Sequence, residues 1–118
     1  MSLARSSPGS AFGLWLRALR TSRQLPIRAV AAAAEMDQTL VSKIELGLRW
    51  PTDEQLAAFS KFFGVDEGEI QRRLLAARFW KNIGEDDPEL AMAVATQVHE
   101  DAAAYVVNNP VSKLRTRK

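Results

Sequence analysis

This sequence predicts an all-α protein, and three observations carry the prediction. Apolar residues recur three and four apart along nearly the whole chain, with little of the two-residue alternation that a strand needs. Alanine, the strongest helix former, is abundant. The breaks between periodic segments hold residues that start and stop helices: Asp37, Thr52 with Gln55, and Asp87 with Pro88 as starts, Gly47 and Gly64 as stops.

Five helical segments follow in order, with a sixth near the C-terminus. The first covers about residues 10–22, where Phe12, Leu16 and Leu19 form an apolar stripe beside Trp15, and Arg17, Arg20 and Arg23 lie on neighbouring turns. The second covers about 26–35, with Pro26 tolerated in its first turn and Ile27, Val30, Ala31 and Ala34 facing inward. The third, about 38–46, takes Asp37 as its N-cap and stops at Gly47. The fourth begins after Pro51: Thr52 and Gln55 form a capping box, Asp53 and Glu54 suit the positive helix end, and Leu56, Phe59, Ser60 and Phe63 face the core up to Gly64. The fifth starts near Asp66 and carries Ile70, Leu74, Leu75 and Phe79. After a break at 84–88 the last helix runs to about Val107. Its Leu90, Val94, Val98, Ala102 and Val106 recur every four residues, and Met92, Ala95, Tyr105 and Val107 widen the apolar surface beyond one stripe. Such a helix needs cover on more than one side, and a partner subunit is a natural source of it.

A length of 118 residues argues for one domain with a small appendage, large enough to bury a core without staples. The absence of cysteine excludes disulfides and thiolate metal sites and fits a reducing compartment, hence a cytoplasmic location. No apolar run is long enough to cross a bilayer, and MSLARSSPGS lacks the apolar stretch of a signal peptide, so residues 1–9 read as a flexible tail. The net charge of +2 hides an asymmetry. Residues 1–52 hold seven basic and three acidic residues, 53–110 five and eleven, and 111–118 four and none. A basic first half suits a polyanion, whose counterions are released on binding; the same charges also suit a solvated face.

The informative stretch is residues 25–51, LPIRAVAAAAEMDQTLVSKIELGLRWP. Two short helices lie three or four residues apart. Ala31 supplies the small side chain that close helix packing needs, and Met36, Val41 and Ile44 fill the angle between the helices. In a helix-turn-helix the first helix crosses the DNA backbone and the second enters the major groove. The sequence resembles the lambda repressor/Cro-type helix-turn-helix family, also called the Xre family, over residues 12–70. The carrying segments are LRALR at 16–20, LPIRAVA at 25–31, SKIELG at 42–47, Pro51 and GVDEGEI at 64–70. The resemblance implies a lambda-repressor-like five-helix DNA-binding domain. It also implies that Gln38, Thr39, Ser42 and Lys43 point toward base edges. Their chemistry agrees: Gln can pair with adenine, Thr can bond a base or touch a thymine methyl, and Lys can reach guanine or phosphate. Leu40 could also meet a thymine methyl. Arg28, Arg49 and the amide at Thr52 are candidate backbone contacts, or, for the arginines, solvated surface. Arg20 and Glu45 occupy the family's paired positions, which implies an ion pair locking the first helix to the third.

The sequence departs from the family in two places. Glu35 stands where the turn often has Gly, so a differently shaped turn is expected. Leu46, Leu48 and Trp50 occupy positions often polar or basic. Trp50 is expected to pack across the loop; the alternative is that this patch meets another protein. No nucleophile–base pair or phosphate-cradling glycine loop is visible. His99 is the only histidine, and Glu85, Asp86, Asp87 and Glu89 lack calcium-loop spacing, so no enzyme activity, metal or cofactor is expected. The expected organisation is a tail at 1–9, a helix-turn-helix domain at 10–70, a self-associating helical extension at 71–110 and a basic tail at 111–118. The expected function is a dimeric, sequence-specific repressor that binds double-stranded DNA. The alternative is a protein-interaction module, or an antitoxin-like protein with a protein partner and secondary DNA binding.

Overall fold

In the computed structural model, which describes residues 8–108, a 3-10 turn at Pro8–Ser10 leads into six helices: α1 Ala11–Ser22, α2 Ile27–Ala34, α3 Gln38–Glu45, α4 Asp53–Phe63, α5 Glu67–Ile83 and α6 Pro88–Asn108. There is no strand among the described residues, and the protein is all-α. The chain divides into two units, Met1–Asn82 and Ile83–Lys118. Pro8 and Gly9, expected in a tail at 1–9, open the 3-10 turn, and Gly9 is buried. Residues 1–7 and the basic tail expected at 111–118 lie outside the described residues.

The core of the first unit draws on five helices. Phe12 and Leu16 come from α1, Val30, Ala31 and Ala34 from α2, Val41 and Ile44 from α3, Leu56, Phe59 and Phe63 from α4, and Ile70, Leu74 and Ala77 from α5. Each large side chain fully buried there contributes about 1.5–3 kcal/mol against the chain entropy lost on folding. The boundary expected after residue 70 therefore falls inside α5, whose second and third buried positions complete this core. Leu75, expected inward, is exposed, and Phe79 is half-buried. Positions 70, 74 and 77 follow the four-then-three spacing of one helix face, and 75 is turned a further residue around.

The ends of the helices follow from local chemistry. Thr52 Oγ1 accepts from the Gln55 amide at 3.1 Å while Gln55 Oε1 accepts from the Thr52 amide at 2.9 Å, a complete capping box. Asp66 Oδ2 accepts from the Glu69 amide at 3.1 Å and Asp87 Oδ1 from the Leu90 amide at 3.0 Å. Pro26 holds the N-cap of α2 rather than its first turn. Asp37 holds the N-cap of α3 with extended backbone, but its side chain makes no cap bond; its carbonyl accepts from Leu40 and Val41. Gly64 ends α4 in the left-handed region, where a residue without Cβ is unstrained.

The α2–α3 turn keeps the left-handed residue that a glycine would supply. Glu35 sits at φ 54°, ψ 52°, with its amide bonded to the Ala32 carbonyl and the Met36 amide to that of Ala31. These are the paired bonds of a Schellman stop. The expectation of a differently shaped turn is thus corrected: α2 packs against both α3 and α4, and Glu35 takes the left-handed conformation in spite of its Cβ.

In the second unit, α6 begins at the Asp87 cap with Pro88 in its first position, and Gln97 donates to Asp101 one turn on at 2.9 Å. Leu90, Met92, Val98, Tyr105 and Val107 are exposed.

Left-handed backbone costs a residue with a Cβ about 1–2 kcal/mol, and glycine returns part of that gain through its unfolded-state freedom. Glu35→Gly should therefore stabilise the protein by up to about 1 kcal/mol, raising the Tm by several degrees in a calorimetric scan. An unchanged or lower Tm would show that the turn is not strained at Glu35.

Candidate nucleic-acid interface

Helix α3 has a buried row and an open row. Val41, Ile44 and Glu45 are buried, Gln38, Thr39 and Lys43 are exposed, and Ser42 is half-exposed. The open residues sit at i, i+1, i+4 and i+5, one face of the helix. Together with Ile27, Leu46 and Leu48 they line a single shallow concavity. The four side chains expected to reach bases therefore share one surface. Leu40 does not join them: it is half-buried and packs against the core.

The buried row is fixed by an ion pair from α1. Arg20 Nε donates to Glu45 Oε2 at 2.7 Å and Nη2 to Oε1 at 3.0 Å, while Nη1 donates to the Leu25 carbonyl at 2.9 Å. Both side chains are largely withdrawn from water, 12% exposed for Arg20 and 5% for Glu45. The hydrogen bonds that Arg20 donates to Glu45, opposed by burial and helped by the carboxylate's charge, hold the guanidinium above its ordinary pKa, so Arg20 stays charged. A forked, two-point contact of this kind fixes orientation as well as distance. One guanidinium thus joins α1, the α1–α2 connection and the last turn of α3.

Gly13 sets how closely α1 approaches. A Cβ on Gly13 would lie 2.4 Å from the Glu45 carbonyl oxygen and 2.5 Å from that of Ile44, inside any real contact distance. The sequence reading overlooked this residue. Its signal was present, since an interior helical glycine costs about 1 kcal/mol against alanine and needs a packing reason.

Three arginines lie over aromatic rings. Arg23 lies over the Phe63 ring at 5.4 Å, Arg73 over Trp15 at 4.7 Å, and Arg78 over Trp50 at 5.7 Å. Arg73 also pairs with Glu69 at 3.1 Å. These cations serve the fold. Arg28, Lys43 and Arg49 are exposed and form no salt bridge among the described residues. Thr52, read as a backbone-contact candidate, has its amide committed to Gln55, beside Asp53 and Glu54, so it is not available to an anion. Trp50 is half-buried against the core, while Leu46 and Leu48 are 58% and 67% exposed. His99 is exposed, and no group of three or more His, Cys, Asp or Glu that could hold a metal comes together among the described residues. No described helix is long and apolar enough to cross a membrane.

Two short helices joined by a left-handed turn, the second immobilised from behind and open in front, define a helix-turn-helix DNA-binding domain. A family model described as a helix-turn-helix domain matches residues 11–73, and the chain belongs to that family. No curated protein and no solved structure matches the chain.

Arg20→Ala leaves the Glu45 carboxylate stranded. It should cost about 3 kcal/mol in chemical denaturation, the low end for breaking a buried pair because Arg20 keeps some access to water. Arg20→Lys, which restores charge without the fork, should recover only part of that loss. Equal stability of Arg20→Ala and wild type would remove the pair from its structural role.

Proposed function

We propose that this chain is a sequence-specific transcriptional regulator of the lambda repressor/Cro type, the Xre family, and that it acts as a dimeric repressor. The observation that carries the reading is the open row of α3: Gln38, Thr39, Ser42 and Lys43 on one surface of a helix whose opposite row is pinned by Arg20. Gln38 has the donor and acceptor to pair with adenine, Lys43 reaches guanine or phosphate, and Thr39 and Ser42 bond either base or backbone. Arg28 and Arg49 supply phosphate contacts that set register. The reading involves no catalytic step and no cofactor, and its place of action is the cytoplasm, with the DNA.

A two-fold dimer would place α3 of each copy in successive major grooves, about 34–36 Å apart. The exposed apolar residues of α6, Met92 and Val98 among them, support self-association through that helix. A second reading is an antitoxin-like protein that binds a protein partner and binds DNA secondarily. The exposure of Leu46 and Leu48 favours it.

The test is fluorescence anisotropy of the full chain on the duplex upstream of its own gene, against a scrambled duplex, across a salt series. Specific binding should exceed non-specific binding by at least about a thousandfold, and Gln38→Ala and Lys43→Ala should each lose about 1–3 kcal/mol of it while remaining folded. Equal, salt-labile binding to both duplexes would reduce the site to a basic surface. No binding to either would put the partner-protein reading first. Light scattering tests the dimer: wild type should have twice the chain mass, and Val98→Lys should be monomeric with weaker operator binding. A dimer that survives Val98→Lys would move the interface away from that face of α6.

A further inference from the structure

We infer that Leu46 and Leu48 read thymine methyl groups in the operator half-site. The inference rests on the DNA-reading role proposed above and adds to it the base that this part of the surface recognises.

The first observation is that these leucines are exposed yet fixed. The Leu46 amide donates to the Ser42 carbonyl at 3.0 Å, the Gly47 amide to Ile44 at 3.1 Å and the Leu48 amide to Lys43 at 2.8 Å. Gly47 takes the left-handed conformation, φ 79°, that this reversal requires. Trp50, half-buried against the core, and Pro51, buried, hold the far side of the loop. The loop backbone that carries the two side chains is thus bonded to the last turn of α3.

The second observation is their company. Leu46, Leu48 and Ile27 share one concavity with Gln38, Thr39, Ser42 and Lys43. Among the described residues, the only charge in that lining is the cation Lys43, and no carboxylate lines it. An apolar patch framed by hydrogen-bonding groups and a cation suits a surface that is anionic, rich in donors and acceptors, and dotted with isolated apolar groups. The DNA major groove is such a surface, and the C5-methyl of thymine is the apolar group on its base edges. Leu40, the side chain that the sequence offered for this contact, is turned toward the core, and Leu46 and Leu48 take its place.

Deleting one methyl from an apolar contact weakens binding by about fourfold. Deoxyuridine removes that methyl and leaves the pairing edge intact. Full-length protein would first select its preferred duplex from a random pool, and each thymine would then be replaced singly by deoxyuridine. One or two positions per half-site should lose about fourfold in affinity with wild type, and that loss should disappear in Leu46→Ala or Leu48→Ala. Both variants should keep the wild-type Tm and salt slope, because both leucines are exposed and uncharged. If a sequence is enriched but no thymine shows a uracil penalty, the inference falls and the DNA-reading role stands. It also falls if the penalty persists in both leucine variants, since another side chain must then read the methyl. If no sequence is enriched at all, the DNA-reading role falls, and this inference with it.

Discussion

Glu45 is a carboxylate placed where a carboxylate should not be stable, at the buried end of α3, and Arg20 is what makes the position tenable. Neither charge can leave without stranding the other in a poorly solvated place, so α1 and α3 separate only at large cost. The third guanidinium nitrogen, bonded to the Leu25 carbonyl, ties the start of α2 to the same centre. The mutual placement of the two helices of the motif therefore traces back to a side chain that belongs to neither. Gly13 adds the distance, by letting the α1 backbone close on the Ile44 and Glu45 carbonyls.

The charge asymmetry of the sequence reads differently once the aromatic contacts are known. Arg23, Arg73 and Arg78 lie over Phe63, Trp15 and Trp50. Each lies over a ring from another segment of the first unit. Facing outward at the motif are Lys43 in the concavity and the exposed Arg28 and Arg49.

Much of this was legible in the sequence, for identifiable reasons. The inner faces of α2 and α4 could be read residue by residue, because a three-and-four apolar spacing on a short helix admits one solution. The box at Thr52 and Gln55 was readable because capping is a local reaction between residues three apart. The Arg20–Glu45 contact came only from the family resemblance, since nothing local joins positions 25 residues apart. What escaped depended on the neighbours. Glu35 adopts the left-handed turn against its own preference because the packing of α2 to α4 outweighs about 1–2 kcal/mol of local strain. Ala77 joins the core and Leu75 is exposed, because Ile70, Leu74 and Ala77 share one face of α5 that Leu75 leaves. The Thr52 amide is engaged by Gln55 in the same box that the sequence shows, so the two readings of Thr52 conflict.

The division of α3 into a pinned row and an open row has a consequence for how such a protein can change. Stability is concentrated in Val41, Ile44 and Glu45, whereas Gln38, Thr39 and Lys43 contribute little to holding the helix in place. Under the proposed function, exchanges at the open positions would alter what the surface recognises at little cost in folding. A gene duplicate could drift to a new target through a handful of such exchanges, each intermediate remaining a well-folded protein. The mount is conservative, and the vocabulary it carries is free to diverge.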